Sequence, residues 1–218
     1  MLKIKFLVIE YHHKLIVNLT ALIILMTASS SAQSTFDFDG NSYSLQIIGS
    51  QTWMRENLNV SHFRNGDPIP QITNSRDWIE AWRKNESAWC YPENSDSLGR
   101  IYGKLYNWFA VNDPRGLAPK KFRIPNFLDF KYLCDFIGNN GFNGAQIKNT
   151  SFDLQIAGYR DILTGFDGRN KFSSWWTSEI SNSDNAWSVL IGSNFGPRLQ
   201  KTGGVFGNGT SVRCILDE

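Results

Sequence analysis

Eight tryptophans lie among loops dense in Asn, Asp and Ser. Flat aromatic rings stack on the apolar faces of sugars and carboxamides hydrogen-bond hydroxyls, so this pairing of side chains carries the chemistry of glycan recognition. It is concentrated in Ser181-Asn182-Ser183-Asp184-Asn185, followed by Trp187, and in the stretch 191–197. Asn182, Asp184, Asn185, Trp187 and Asn194 are therefore the candidate ligand-binding residues. The same residues admit an architectural reading, because most rings must fill the core and loop amides also close turns.

Other chemistries find fewer residues. His12 and His13 fall in the first 32 residues, leaving His62 as the single imidazole of the remainder, which argues against Ser/His/Asp, Cys/His and multi-histidine metal sites. His62, beside Phe63 and Arg64, reads as a loop residue. Asp37 and Asp39 lead into a turn and Asp167 in FDGRN forms one, so no pair of carboxylates is set up for glycosidic chemistry. GGVFGNG (203–209) lacks the Lys-Ser/Thr that follows a phosphate loop, and no calcium-loop spacing is present. Cys90, Cys134 and Cys214 form no Cys-x-x-Cys. No catalytic residue, metal or cofactor is expected.

Charge narrows the partners. Of 22 Lys and Arg, three (Lys3, Lys5, Lys14) lie in residues 1–32; of 20 Asp and Glu, only Glu10 does, so residues 33–218 carry 19 of each sign. A neutral domain lacks the excess of cations that nucleic acid demands. Residues 1–14 are basic on balance, Leu15–Met26 is an apolar run broken by Asn18 and Thr20, and small residues end at Ala32. This is the pattern of a cleaved signal peptide over 1–32, too short to span a bilayer, and it places 33–218 outside the cell, at its surface or in the periplasm. That compartment permits one disulfide among the three cysteines, without fixing the pair.

The elements that must hold these residues follow from local patterns. Phe36–Trp53 reads as a β-hairpin, with Tyr43, Leu45 and Ile47 at period two. Asn57–Pro70 is loop-like. Asn74–Lys84 predicts a short helix with Trp78 and Trp82 on one face, and Asn126–Ile137 a longer one with Asp129 at the capping-box position. Strands are predicted at Leu154–Tyr159, Phe172–Ser178, Ala186–Ile191 and Ser211–Leu216, joined by Gly/Asn/Ser-rich turns. The whole is one α+β domain over 33–218.

Six segments, IGSQTWMRENLNVSHFRNGDPIP (48–70), YGKLYNWFAVND (102–113), LAPKKFRIPNFLDFKYL (117–133), AGYRD (157–161), WWTSEISNSDNAW (175–187) and SVRCILDE (211–218), resemble the Fibrobacter succinogenes major paralogous domain, a family of secreted and lipoprotein domains of Bacteroidetes and Fibrobacteres. The resemblance implies a C-type-lectin-like fold, shared with formylglycine-generating enzymes: first and last strands paired, a twisted antiparallel sheet, one or two helices and long irregular loops. The chain departs from the family in having Ala118-Pro119 for the usual Cys-Pro and Lys121-Phe122 for Gly-Trp. With that cysteine missing, the resemblance to lectin domains implies a Cys134–Cys214 bridge instead. The motifs by which lectins hold calcium and sugar have no counterpart, and neither does the reactive cysteine pair of the enzymes.

The function expected is a secreted, non-catalytic binding or adhesion module for a glycan or a cell-surface protein, with no nucleic-acid partner and no membrane span after cleavage. The alternative is a structural surface component without a small-ligand site. An enzyme is the least supported reading.

Overall fold

The computed structural model describes residues 33–139, 155–192, 196–197 and 202–217. The chain divides into two units, Met1–Gln33 and Ser34–Glu218, and every described strand and helix belongs to the second. Its first strands form a meander. β1 (Ser34–Phe36) turns at Asp39-Gly40 into β2 (Ser42–Ile48), which turns again at Gly49-Ser50 into β3 (Gln51–Met54). The second turn favours glycine through its backbone, since Gly49 has φ +61°, and a Cβ there would also displace the exposed Tyr132 ring, whose hydroxyl would lie 2.3 Å away. The expected hairpin thus holds three strands, because a tight turn inside an apolar run carries little signal of its own.

β3 pairs next with β13 (Ile215–Leu216), and β13 with β6 (Phe122–Arg123), giving the antiparallel order β1-β2-β3-β13-β6. The last strand thus joins the N-terminal meander through its third strand, β3, while β1, the first, pairs with β2. Alternation along these strands builds two separate cores. Met54 and Cys214 turn into a cluster with Tyr43, Phe63, Tyr106, Trp108 and Trp176. Their neighbours Trp53 and Ile215 turn the other way, onto Phe130, Leu133 and Trp175. Between β3 and β6 in the chain, β4 (Trp89–Cys90) and β5 (Leu105–Tyr106) make a short antiparallel pair of their own.

Among the described residues four α-helices lie between the strands. α1 (Ser75–Arg83) is capped by Asn74, whose side chain accepts from the Arg76 and Asp77 amides, and it buries Trp78 and Ala81. α2 (Asp96–Tyr102) and α3 (Trp108–Val111) are one or two turns long, started by Ser95 and Asn107. They exceed the one or two helices expected, since elements this short show no periodicity. α4 (Phe127–Asn139) begins with the expected reciprocal cap: the Asp129 amide donates to Asn126 (2.8 Å) and the Asn126 amide to Asp129 (2.7 Å). It packs through Phe130 on Trp53, ring centroids 5.2 Å apart.

The Cys134–Cys214 bridge is not formed; Cys90, Cys134 and Cys214 are all free thiols. The sheet stands between the two: Cys214 faces the larger cluster, while α4, which carries Cys134, lies against the opposite face. Ala118 falls in the same cluster as Cys214, so the family's cysteine position lies on Cys214's side.

The second half is strand-rich. β9 (Phe172–Ile180) and β10 (Asn185–Gly192) form the long hairpin anticipated there. The other edge of β10 pairs with β12 (Thr202–Val205) and with β11 (Gly196–Pro197). β7 (Tyr159–Asp161) and β8 (Gly165–Asp167) make a small separate hairpin. Of the strand anticipated over Leu154–Tyr159, Leu154 lies outside the described residues and Gln155–Gly158 are not strand.

Candidate functional site

The Ser181–Asn185 segment is the turn of the β9–β10 hairpin, and its polar groups are turned on one another. Asn182 Oδ1 accepts from the amides of Asp184 and Asn185, each at 3.0 Å, and from the Asn185 side chain at 2.9 Å. The Ser183 hydroxyl donates to Asp184, and the Asp184 carbonyl receives the Phe206 amide. This is the hydrogen bonding of an Asx turn. Trp187 is half-buried on β10, opposite Gly203 of β12. Asn182, Asp184, Asn185 and Trp187 line none of four cavities that the described residues form, and Asn194 lies outside the described residues.

Most of the tryptophans are likewise committed. Trp53, Trp78, Trp89, Trp108, Trp175 and Trp176 are buried. Four of their indole N–H groups are satisfied at long range: Trp78 by the Gly207 carbonyl, Trp89 by that of Ile69, Trp175 by the Asn57 side chain and Trp176 by the Tyr106 carbonyl, all at 2.7–2.9 Å. His62 sits with Nδ1 2.5 Å from Asp39 Oδ1. Burial works to raise the Asp39 carboxyl, but the Ser61 amide and His62 outweigh it and hold the group below its ordinary value. The pair ties the β1–β2 turn to the following loop.

A different place on the same hairpin has its polar groups open. Ser174 of β9 and Thr210 line a cavity of about 220 Å³ walled by the rings of Tyr159 and Phe172, with Asp161 and Asn208 at its rim. The two rings lie 5.9 Å apart, inclined at 37°. Ser174 is 7% exposed and Thr210 2%, yet neither hydroxyl has a hydrogen-bond partner among the described residues. Asp161 uses one oxygen to accept from Leu163 and Thr164, and Asn208 uses its carbonyl to accept from Ile162. Asp161 Oδ2 and the Asn208 amide N–H groups have no partner among the described residues, so an acceptor, an amide donor and two hydroxyls converge beside two rings. Beyond Tyr159 lies a second cavity of about 190 Å³, bounded by Phe166, Asp167, Lys171 and the Arg169–Glu93 ion pair. Burial, with Asp161 and Asp167 nearby, raises the Tyr159 phenol above its ordinary value.

Long-range backbone bonds fix these walls in place. Arg160 and Gly209 exchange two bonds of 2.8 Å, Thr210 and Tyr106 two of 3.0 Å, and the Ser211 amide donates to the Ser174 carbonyl. Beneath, the Arg160 guanidinium is 2% exposed, lies 4.3 Å over the Trp78 ring and donates to the carbonyls of Ile72 and Thr73. This arrangement anchors the β7–β8 hairpin on α1. Gly158, at φ +72°, lets the chain enter that hairpin: a Cβ would lie 2.3 Å from the Asp167 carbonyl oxygen.

Residues 47–216 match the family model of the Fibrobacter succinogenes major domain. The chain belongs to that family. No curated protein matches it significantly. The span matched to the Fibrobacter succinogenes major domain runs from β2 to β13 and contains every wall of the Tyr159 cleft. Among the described residues no group of three His, Cys, Asp or Glu side chains is placed to hold a metal, and no helix is long and apolar enough to cross a membrane.

Sequence reasoning missed Tyr159, Ser174 and Thr210. One signal was there: Ser173-Ser174 precedes Trp175-Trp176 in a predicted strand, and where such rings bury the strand, a hydroxyl beside them needs a partner or an opening.

Proposed function

We propose that the domain is a secreted, non-catalytic binding module, released by cleavage of residues 1–32, and that the Tyr159 cleft takes one ring of a glycan. The observation that carries this reading is the pair of hydroxyls, Ser174 and Thr210, that open into the cavity beside two aromatic rings with no protein partner among the described residues. Hydroxyls open to a cavity in this way can donate to and accept from those of a ligand, each such hydrogen bond contributing about 0.5–1.5 kcal/mol. The size agrees: about 220 Å³ falls below the roughly 300–1,000 Å³ of drug-sized sites and suits a single sugar ring. A C-type-lectin-like fold is part of the proposal, supported by the pairing of β3 with β13.

The test is a glycan array probed with the folded protein, with and without a chelator. Saturable, chelator-insensitive binding that Phe172→Ala and Thr210→Val weaken supports the module. Binding that ignores both substitutions sinks the assignment of the cleft. A second reading, a structural surface component, draws on the six buried tryptophans; a clean negative across the array from folded protein favours it.

A further inference from the structure

The largest described cavity lies elsewhere and has different chemistry. It encloses about 650 Å³ along the β6 edge, and a neighbouring cavity of about 220 Å³ shares Arg64, Leu117 and Ala118 with it, so the two form one continuous groove. Its floor is apolar: Val111, Leu117, Ala118 and Phe122 are each no more than 7% exposed. At the far end Phe36 and Phe38 stand 61% and 57% exposed.

Three cations border this floor without a carboxylate partner among the described residues: Arg64, Lys120 and Lys121. Arg64 is braced by carbonyls instead, Nε donating to Ala118 (3.0 Å) and Nη2 to Phe122 (3.3 Å), which fixes the guanidinium while leaving its charge unneutralised. Lys121 holds φ +69°, a left-handed conformation that costs a non-glycine residue about 1 kcal/mol or more. Of the acidic groups of the groove, Asp217 pairs with Arg123, while Asp37 is hydrogen-bonded to the neutral Asn41 and Tyr43, keeps its charge and is outnumbered by the three cations. The groove therefore presents unbalanced positive charge over an apolar strip.

We propose that this groove docks an acidic peptide segment of a partner protein, its carboxylates on Arg64, Lys120 and Lys121 and its apolar side chains on the Leu117–Phe122 floor. A polyanionic sugar would answer the cations but leave the aliphatic floor wet, which is why a peptide fits better. The site shares no residue with the Tyr159 cleft and does not depend on the glycan reading.

Fluorescence anisotropy of the full chain with a labelled peptide of alternating Asp and Leu tests the proposal, with Asn/Leu and Asp/Ser peptides as controls and polygalacturonate as a rival ligand. The Asp/Leu peptide is expected to bind saturably, above both controls and more weakly as salt rises. In the Lys120→Glu, Lys121→Glu double variant, which alters only exposed side chains, its affinity is expected to fall about tenfold or more, with the circular dichroism spectrum unchanged. Equal binding of the controls, indifference to the charge reversal, or saturable binding of polygalacturonate in place of the peptide overturns the proposal.

Discussion

Two polar regions share the β9–β10 hairpin and differ in what their hydrogen-bonding groups do. In the Ser181–Asn185 turn Asn182 Oδ1 alone accepts three bonds, and the local amides and carboxylate are consumed in closing the loop. In the Tyr159 cleft Ser174 and Thr210 are more deeply buried than any turn residue, yet their hydroxyls bond to nothing described. Residue type alone favours the turn. Hydrogen-bond accounting favours the cleft, because an amide already satisfied within the turn has little to gain from a ligand, while a hydroxyl open to a cavity with no protein partner can bond one directly.

The most severe test of the cleft's preformed geometry is Gly158→Ala. The new Cβ meets backbone on two sides, at 2.3 Å from Asp167 and 2.6 Å from Arg169, and the residue must keep φ +72°. A loss of about 3 kcal/mol or more is expected in urea denaturation, together with loss of glycan binding. A loss below about 1 kcal/mol would show that the β7–β8 hairpin yields easily and that the cleft is not held rigid.

Next in size is an alkaline effect beneath the cleft. Cys90 shares a cluster with Trp78, Ala157 and Ile162, and burial pushes its thiol up from 9.0 to about 11, Arg160 pulling the other way. The folded state holds this proton where the unfolded chain has released it, so the contribution is complete below pH 9 and is lost as pH rises from 9 to about 11. Two units correspond to about 2–3 kcal/mol. Cys134 and Cys214 act in the same direction, so the measurement is the stability gap between wild type and Cys90→Ala across that window. The gap should narrow by that amount, and a constant gap would mean the thiol is not shielded as the structure has it.

Asn182→Ala probes the other side of the comparison. Removing the acceptor of three bonds should cost about 1–2 kcal/mol in thermal or urea unfolding, and glycan binding should stay unchanged. Lost binding with intact stability would restore the turn as the ligand site.

Why the sequence pointed to the turn and not to the cleft is a matter of range. α1, α4 and the β9–β10 hairpin were legible because their determinants are local: Asn74 and Asn126 as caps, Asp129 three residues on, apolar runs broken by turn residues. β13 has two residues and exists through its pairing with Trp53 on one side and Phe122 and Arg123 on the other. The cleft is harder still. Tyr159, Ser174 and Thr210 come from three segments brought together by the Arg160–Gly209, Thr210–Tyr106 and Ser211–Ser174 bonds, none of them readable from spacing. Arg160 is buried against Trp78, a location that charge alone argues against.

The smallest effect on stability is the most discriminating. Thr210→Val replaces a hydroxyl by a methyl of nearly the same shape at a position 2% exposed. A hydroxyl bonded inside the protein would make this substitution cost about 1 kcal/mol or more. Here the hydroxyl faces the cavity and has no described partner, so stability should change by less than about 0.5 kcal/mol. Glycan affinity, by contrast, should fall about tenfold, the loss of one hydrogen bond of about 1–1.5 kcal/mol. Calorimetric unfolding and titration on one preparation read both quantities. If stability drops while affinity holds, the hydroxyl belongs to the framework; if affinity drops while stability holds, the difference between turn and cleft is a difference in function.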